Sequence, residues 1–247
     1  MQKILCLLFV PLFYCCTTEP DSAAASYAVP VAHESYNKTD TPVVDLDVAA
    51  NPANPYDLAG RLHCDVLEAY LPMETTACTI PQLIERLESA ATGNSMFATL
   101  KSGGYDSPVP SRLQYLMNHP LLSRTEIVNG SGLTTPARNN LNDFISGVLQ
   151  LREQQQPFAV SYASITAYET AVLSDPTFTT FDKQVLLSNA SITRYGFYFA
   201  SKHKKRKPRD RDWDHWITAI SAGIEGSTQS MANAVMLSAA ASALYNN

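Results

Sequence analysis

Leu141, Phe144, Ile145, Val148 and Leu149 recur at the i, i+3, i+4, i+7, i+8 spacing of an amphipathic helix, between Thr135-Pro136 and Pro157. Only a rotation near 100° per residue gathers such a stripe on one face; a strand would scatter it over two. The same grammar recurs along the chain. Pro81 precedes Leu83, Ile84 and Leu87 and predicts a helix over 80–91. Residues 111–117 form a short helix ended by His119-Pro120, and Gly103-Gly104 and Pro108-Val-Pro110 break the loop before it. Tyr162, Ile165, Tyr168 and Val172 mark a further helix stopped by Asp175-Pro176. Thr179 with Asp182 three residues later resembles a capping box, with Asp in place of Glu, and opens a helix reaching about 201. Its Tyr195-Gly-Phe-Tyr-Phe199 aromatics are expected in the core, a sugar-stacking surface being the alternative. Gly is scarce, at 10 of 247 residues, and β-branched residues form no alternating runs. The fold class is therefore all-α: a multi-helix single domain.

That domain is expected over residues 51–247, after an export signal at 1–16 and a flexible tether at 17–50. Lys3 followed by an apolar run from Ile4 to Tyr14 has the form of a signal, and the run is too short for a membrane span. Lipidation is expected at Cys15 or Cys16. Leu12 stands three before Cys15 but bulky Tyr14 precedes it, whereas Cys16 follows a small residue. Cleavage after Ala25 is the third option, and would make the protein secreted. Residues 17–53 carry four prolines and no helical periodicity.

The first helix of the domain is expected over 54–71, with Asn54 as N-cap, Pro55 in the first turn and Asp57 facing the positive end of the macrodipole. Leu58, Ala59, Leu62, His63, Val66, Leu67 and Tyr70 share one half of the wheel. Asp57, Arg61, Asp65 and Glu68 share the other, with Asp57 and Arg61 spaced to pair. Gly60, on the border, lets another backbone come close. His63 points inward, as a core histidine satisfied by one hydrogen bond or as a functional imidazole; no carboxylate shares its face. Cys64 and Cys78 can close a loop that stabilises the fold by roughly 3 kcal/mol, or stand as separate small hydrophobes.

The pattern Asn54, Pro55, Tyr56, Asp57, Gly60, His63, Leu67 resembles one that opens the mature region of lipoprotein-like proteins of Bacteroidetes bacteria. The likeness extends loosely to Phe181-Asp-Lys-Gln-Val-Leu-Leu187 and to the small-residue C-terminal segment. The chain departs from the pattern at Cys64, where Asn is expected, and in a tail rich in Ala and Ser rather than Gly. The resemblance implies an envelope location and a helical fold, and no chemistry.

A formal charge of −5 argues against nucleic acid as a partner of the whole chain. It hides an asymmetry. Seven of the 18 basic residues lie within 202–211, and the other 11 face 23 acids, a formal −12. This run, with Lys204, Lys205, Arg206 and Lys207 at its centre, is a solvated connector or a binder of anionic surfaces. Just beyond it, Asp212, Asp214 and His215 offer metal-type ligands, although acids ahead of a helix are expected for capping alone. From Ile217 to Tyr245 only Glu225 is charged, and Ala222, Gly226, Ser230, Ala234, Ser238 and Ser242 recur every fourth position. The ridge predicts a buried C-terminal helix or hairpin in which two axes come close.

The sequence carries no Gly-x-Ser-x-Gly elbow, His-Glu-x-x-His, phosphate loop or dinucleotide fingerprint. No catalytic residue and no cofactor is assigned. The expectation is an exported, lipid-anchored envelope protein with a non-enzymatic binding or structural role. Its partners are the membrane, through the lipid, and an unidentified envelope component. A membrane-active secreted protein using the basic run and the C-terminal helices is one alternative; a hydrolase using His63 or His215 is another.

Overall fold

Apolar residues spaced three and four apart must bury against one another, and here they do so in ten α-helices with no strand among the described residues. The structure is a computed structural model that describes residues 45–73, 78–203 and 211–244, apart from the side chains of 211 and 212. In chain order the helices are α1 (Asp57–Tyr70), α2 (Ile80–Thr92), α3 (Ser95–Ser102), α4 (Pro110–Asn118) and α5 (Pro120–Gly130), followed by α6 (Thr135–Glu153), α7 (Phe158–Ser174), α8 (Thr180–Lys202), α9 (Arg211–Ser227) and α10 (Met231–Leu244).

The 23-residue α8 is the axis of the fold, buried without a break from Val185 to Tyr195. On it pack α1, α7 and α9, and α10 closes against both α9 and α1. Pro136, Pro110, Pro120 and Pro81 sit in the first turns of their helices, where a missing N–H costs nothing. The expected α6 stripe is buried in full: Leu141, Phe144, Ile145, Val148 and Leu149. Tyr195, Phe197 and Tyr198 are core residues.

The small-residue ridge becomes the α9–α10 hairpin. A Cβ built on Gly226 would stand 2.5 Å from the backbone N and Cα of Ala234, so these two helices touch main chain to main chain. Gly60 does the same for α1 and α8, where a Cβ would lie 2.4 Å from the carbonyl oxygen of Ser191.

Asp182 closes the expected box with Thr179, then does more. Its carboxylate accepts from the N–H (2.9 Å) and hydroxyl (2.8 Å) of Thr179, and from the N–H (2.9 Å) and hydroxyl (3.0 Å) of Thr134. Thr134 is the N-cap of α6, so one buried side chain serves the starts of two helices. Burial pushes the Asp182 carboxyl up, but these four donors outweigh it and hold it below the usual carboxylate range.

Several expectations need correction. Helix α1 begins at Asp57, three residues late, because Asn54 is spent elsewhere. Its Oδ1 accepts from the N–H of Tyr56 (2.8 Å) in a turn, and its amide nitrogen turns inward. Asp57 and Arg61 do not pair; Arg61 reaches Asp47 at 3.2 Å. Residues 45–50, assigned to the tether, are docked, with a 3-10 turn over Leu46–Ala49 and Ala49 fully buried. Two helices have no counterpart in the sequence reading. Helix α3 is eight residues long, capped by Asn94. Helix α5 leaves Leu121 and Leu122 exposed, so its apolar residues make no stripe.

Candidate functional site

The residues of the Asn54–Asp57 turn meet two charged side chains that come from α7 and α8. Glu169 is the single charged residue of α7, and Arg194 is the single charged residue of α8 between Lys183 and Lys202. Both side chains are 0% exposed, and they pair at 3.2 Å. Arg194 Nη2 also donates to Asp57, whose side chain remains 20% exposed. Burial works against the guanidinium charge, but Glu169 and Asp57 outweigh it and hold Arg194 above its ordinary value.

The surrounding donors go to the same two acids and to nearby carbonyls, while Arg194 Nη1 is buried without a hydrogen-bond partner. Asn51 and Asn54 give their amide N–H groups to Glu169 at 2.6 and 2.8 Å, and Asn54 also donates to the Leu187 carbonyl at 3.0 Å. The Tyr195 hydroxyl donates to Asp57 at 3.2 Å; burial and the Asp57 charge push its phenol up, so it stays protonated. Ser191 donates to the Asp57 carbonyl (2.9 Å) and accepts from the N–H of Gly60 (3.1 Å). Tyr162, whose ring lies beside the guanidinium, donates to the Ala50 carbonyl at 2.8 Å. The cluster thus pins the first described residues, as a strap, across α7 and α8. Its acids are saturated with donors, the condition under which a carboxylate is a poor general base.

His63 lies elsewhere on α1, facing α10. Its Nδ1 is 2.8 Å from Ser238 Oγ, one of the ridge residues, and the ring is 2% exposed. A histidine and a serine in contact are two parts of a nucleophile pair, but the charge acting on the ring is that of His215, not a carboxylate. Burial, aided by His215 and opposed by a hydrogen bond to the Val235 carbonyl, lowers His63 to about 4. A groove of about 270 Å³ between α6 and α7, and one of about 230 Å³ lined by α4, α5 and α9, include neither this pair nor the Arg194 cluster.

The lowered value sets a pH dependence. The unfolded chain takes up a proton near 6.5 and the folded chain only near 4, so this contribution is intact above pH 6.5. It falls by about 1.4 kcal/mol per pH unit between those values, roughly 3 kcal/mol in all. Urea unfolding of wild type and His63→Gln across this range should show the steeper acid loss in wild type; parallel curves would count against it.

The remaining sequence candidates do not assemble. Cys64 and Cys78 are free thiols, the first buried and pushed up chiefly by that burial, the second half-buried. Asp214 and His215 are half-buried at the start of α9, and no metal-type cluster of three occurs among the described residues. The Asp212 side chain, Lys204, Lys205, Arg206, Lys207, Cys15 and Cys16 lie outside the described residues. Sequence reasoning missed Glu169, Arg194, Asn51 and Ser191. The available signal was one isolated charge of each sign in two successive apolar helices. Comparison of the chain with family models, curated proteins and solved structures gives no match.

Proposed function

We propose that this protein is an exported, lipid-anchored component of a bacterial cell envelope whose helical domain binds or supports a partner without catalysing a reaction. The observation that carries the reading is how the interior polar groups are used. Arg194, Glu169, Asp57 and both asparagines close the fold around the segment that joins the domain to its N-terminal tether. His63 is sealed against Ser238. The chemistry-bearing residues of the motif are therefore spent on holding the start of the domain to α7, α8 and α10.

Support for the location comes from the N-terminal sequence and the resemblance to lipoprotein-like proteins. No helix among the described residues is long and apolar enough to cross a membrane, and the reading assigns membrane attachment to a lipid at Cys15 or Cys16. Intact-mass analysis of the mature protein from its native membrane fraction tests this. The expected mass begins at one of these cysteines and carries acyl chains. An unmodified chain beginning near Ser26 would overturn the anchor and make the protein secreted.

A further inference from the structure

Helix α7 has no charged side, yet one side of it is uncovered. Its single charge, Glu169, is buried, and the exposed residues from Ala159 to Ser174 carry none. Ala159, Ala163, Ala167 and Ala171 stand every fourth position along this exposed side. A helix without a polar face is ordinarily covered, and a ridge of alanines lets a second helix axis come close. Beside the ridge runs the groove of about 270 Å³ between α6 and α7. Asn140 Oδ1 and Tyr168 Oη are buried in its walls, and neither has a hydrogen-bond partner. Burial and the Glu169 charge push the Tyr168 phenol up, so it stays a neutral hydroxyl. Asp143, also in the lining, is exposed and pairs with no cation among the described residues. The cations of α6 are engaged elsewhere: Arg138 with the Asn129 carbonyl and the Thr135 hydroxyl, and Arg152 over the Trp216 ring.

We infer that α6 and α7 form the docking surface for a helix of a partner protein, which lies along the alanine ridge and sends a lysine side chain into the groove. An ammonium carries three N–H donors and no acceptor, which suits a carboxylate and two oxygens that lack donors. Asp143 supplies the charge, and the half-buried Asn140 turns its amide oxygen toward the ammonium. The four-carbon stem lies against Phe144, Val148 and Ile165. The Phe144 and Tyr168 rings, stacked 4.2 Å apart in the same groove, attract the cation as well. An acidic side chain would be repelled by Asp143, and a neutral one would leave it desolvated and unpaired, so the groove selects by charge. This docking rests on the reading of the domain as a binder, and does not depend on the lipid anchor.

The test uses the full mature protein and fluorescein-labelled helical peptides of alanine and glutamine, with a central lysine, norleucine or glutamine. Fluorescence anisotropy reads binding. The lysine peptide is expected to bind at least about tenfold tighter than the other two. Asp143→Asn should remove that preference. Gly147→Leu should fill the groove with the same result, and the fold tolerates it because no atom lies within 4 Å of a Cβ there. Ala163→Arg, on the exposed ridge, should weaken all three peptides. Absence of binding, equal binding of the three peptides, or an unchanged preference in Asp143→Asn overturns the lysine site. Nα-acetyl-lysine methylamide that binds as tightly as the peptide would mean a site for free amines. A dimer in sedimentation equilibrium that Ala163→Arg dissociates would mean that the ridge serves a second copy. Either of these overturns the docking. Acylation is read separately by mass, so failure of the anchored reading and failure of this site give different results.

Discussion

Arg194→Met is expected to destabilise the domain by about 3–5 kcal/mol, the usual cost of removing one member of a buried ion pair. The reason lies in what is left behind. Glu169, with no exposed surface, would be left with only two amide donors, and Asp57 would keep only its neutral hydrogen bonds to Tyr195 and Ser191 on α8. The cost comes from the unpaired acid rather than from the strength of the pair. Adding Glu169→Gln to Arg194→Met should therefore recover more than half of the loss, since the glutamine carbonyl still accepts from Asn54. Urea denaturation of the three proteins decides the matter. A single-variant loss below about 1 kcal/mol, or no recovery in the double variant, would show that the cluster is not what holds α1, α7 and α8 together.

Gly226→Ala is the second large effect. The added methyl would sit 2.5 Å from the Ala234 main chain, and no rotamer can move a backbone atom aside. The hairpin has to open, at about 3 kcal/mol or more, which for a domain of this size lowers Tm by roughly 10 °C. Gly60→Ala, 2.4 Å from the Ser191 carbonyl, should behave alike. Gly147, mid-way along α6, supplies the control. Nothing lies within 4 Å of a Cβ there, so Gly147→Ala should gain about 0.5–1 kcal/mol from helix propensity. Equal behaviour of Gly226 and Gly147 would remove the close-contact account.

These two predictions divide along a line that also separates what the sequence made legible from what it did not. Short-range features were readable: the α6 stripe, the Thr179–Asp182 box, the inward face of His63 and the close approach at Gly60 all follow from residues within a few turns of one another. The small residues recurring every fourth position from Ala222 to Ser242 announced close helix packing for the same reason, as a buried helix or a hairpin. Long-range polar contacts were not readable. Asp57 has the spacing of a surface acid paired with Arg61, and only the arrival of α8 gives it a buried partner instead. Asn54 reads as a helix cap until Glu169 claims its amide. Helix α5 escaped because its leucines face solvent, and periodicity reports burial rather than helix.

The strap has a consequence for the order in which the chain can fold. Asn51 waits for Glu169, 118 residues later; Asn54 waits for Leu187, 133 later; Asp57 waits for Arg194, 137 later; and Asp45 is bonded by Tyr198, 153 later. Contacts of such separation are closed late, because the entropy of bringing distant segments together must be met first. The beginning of the domain therefore has no place to settle until α8 has been made. A chain emerging from the ribosome therefore leaves these polar groups without their partners until α7 and α8 have been synthesised.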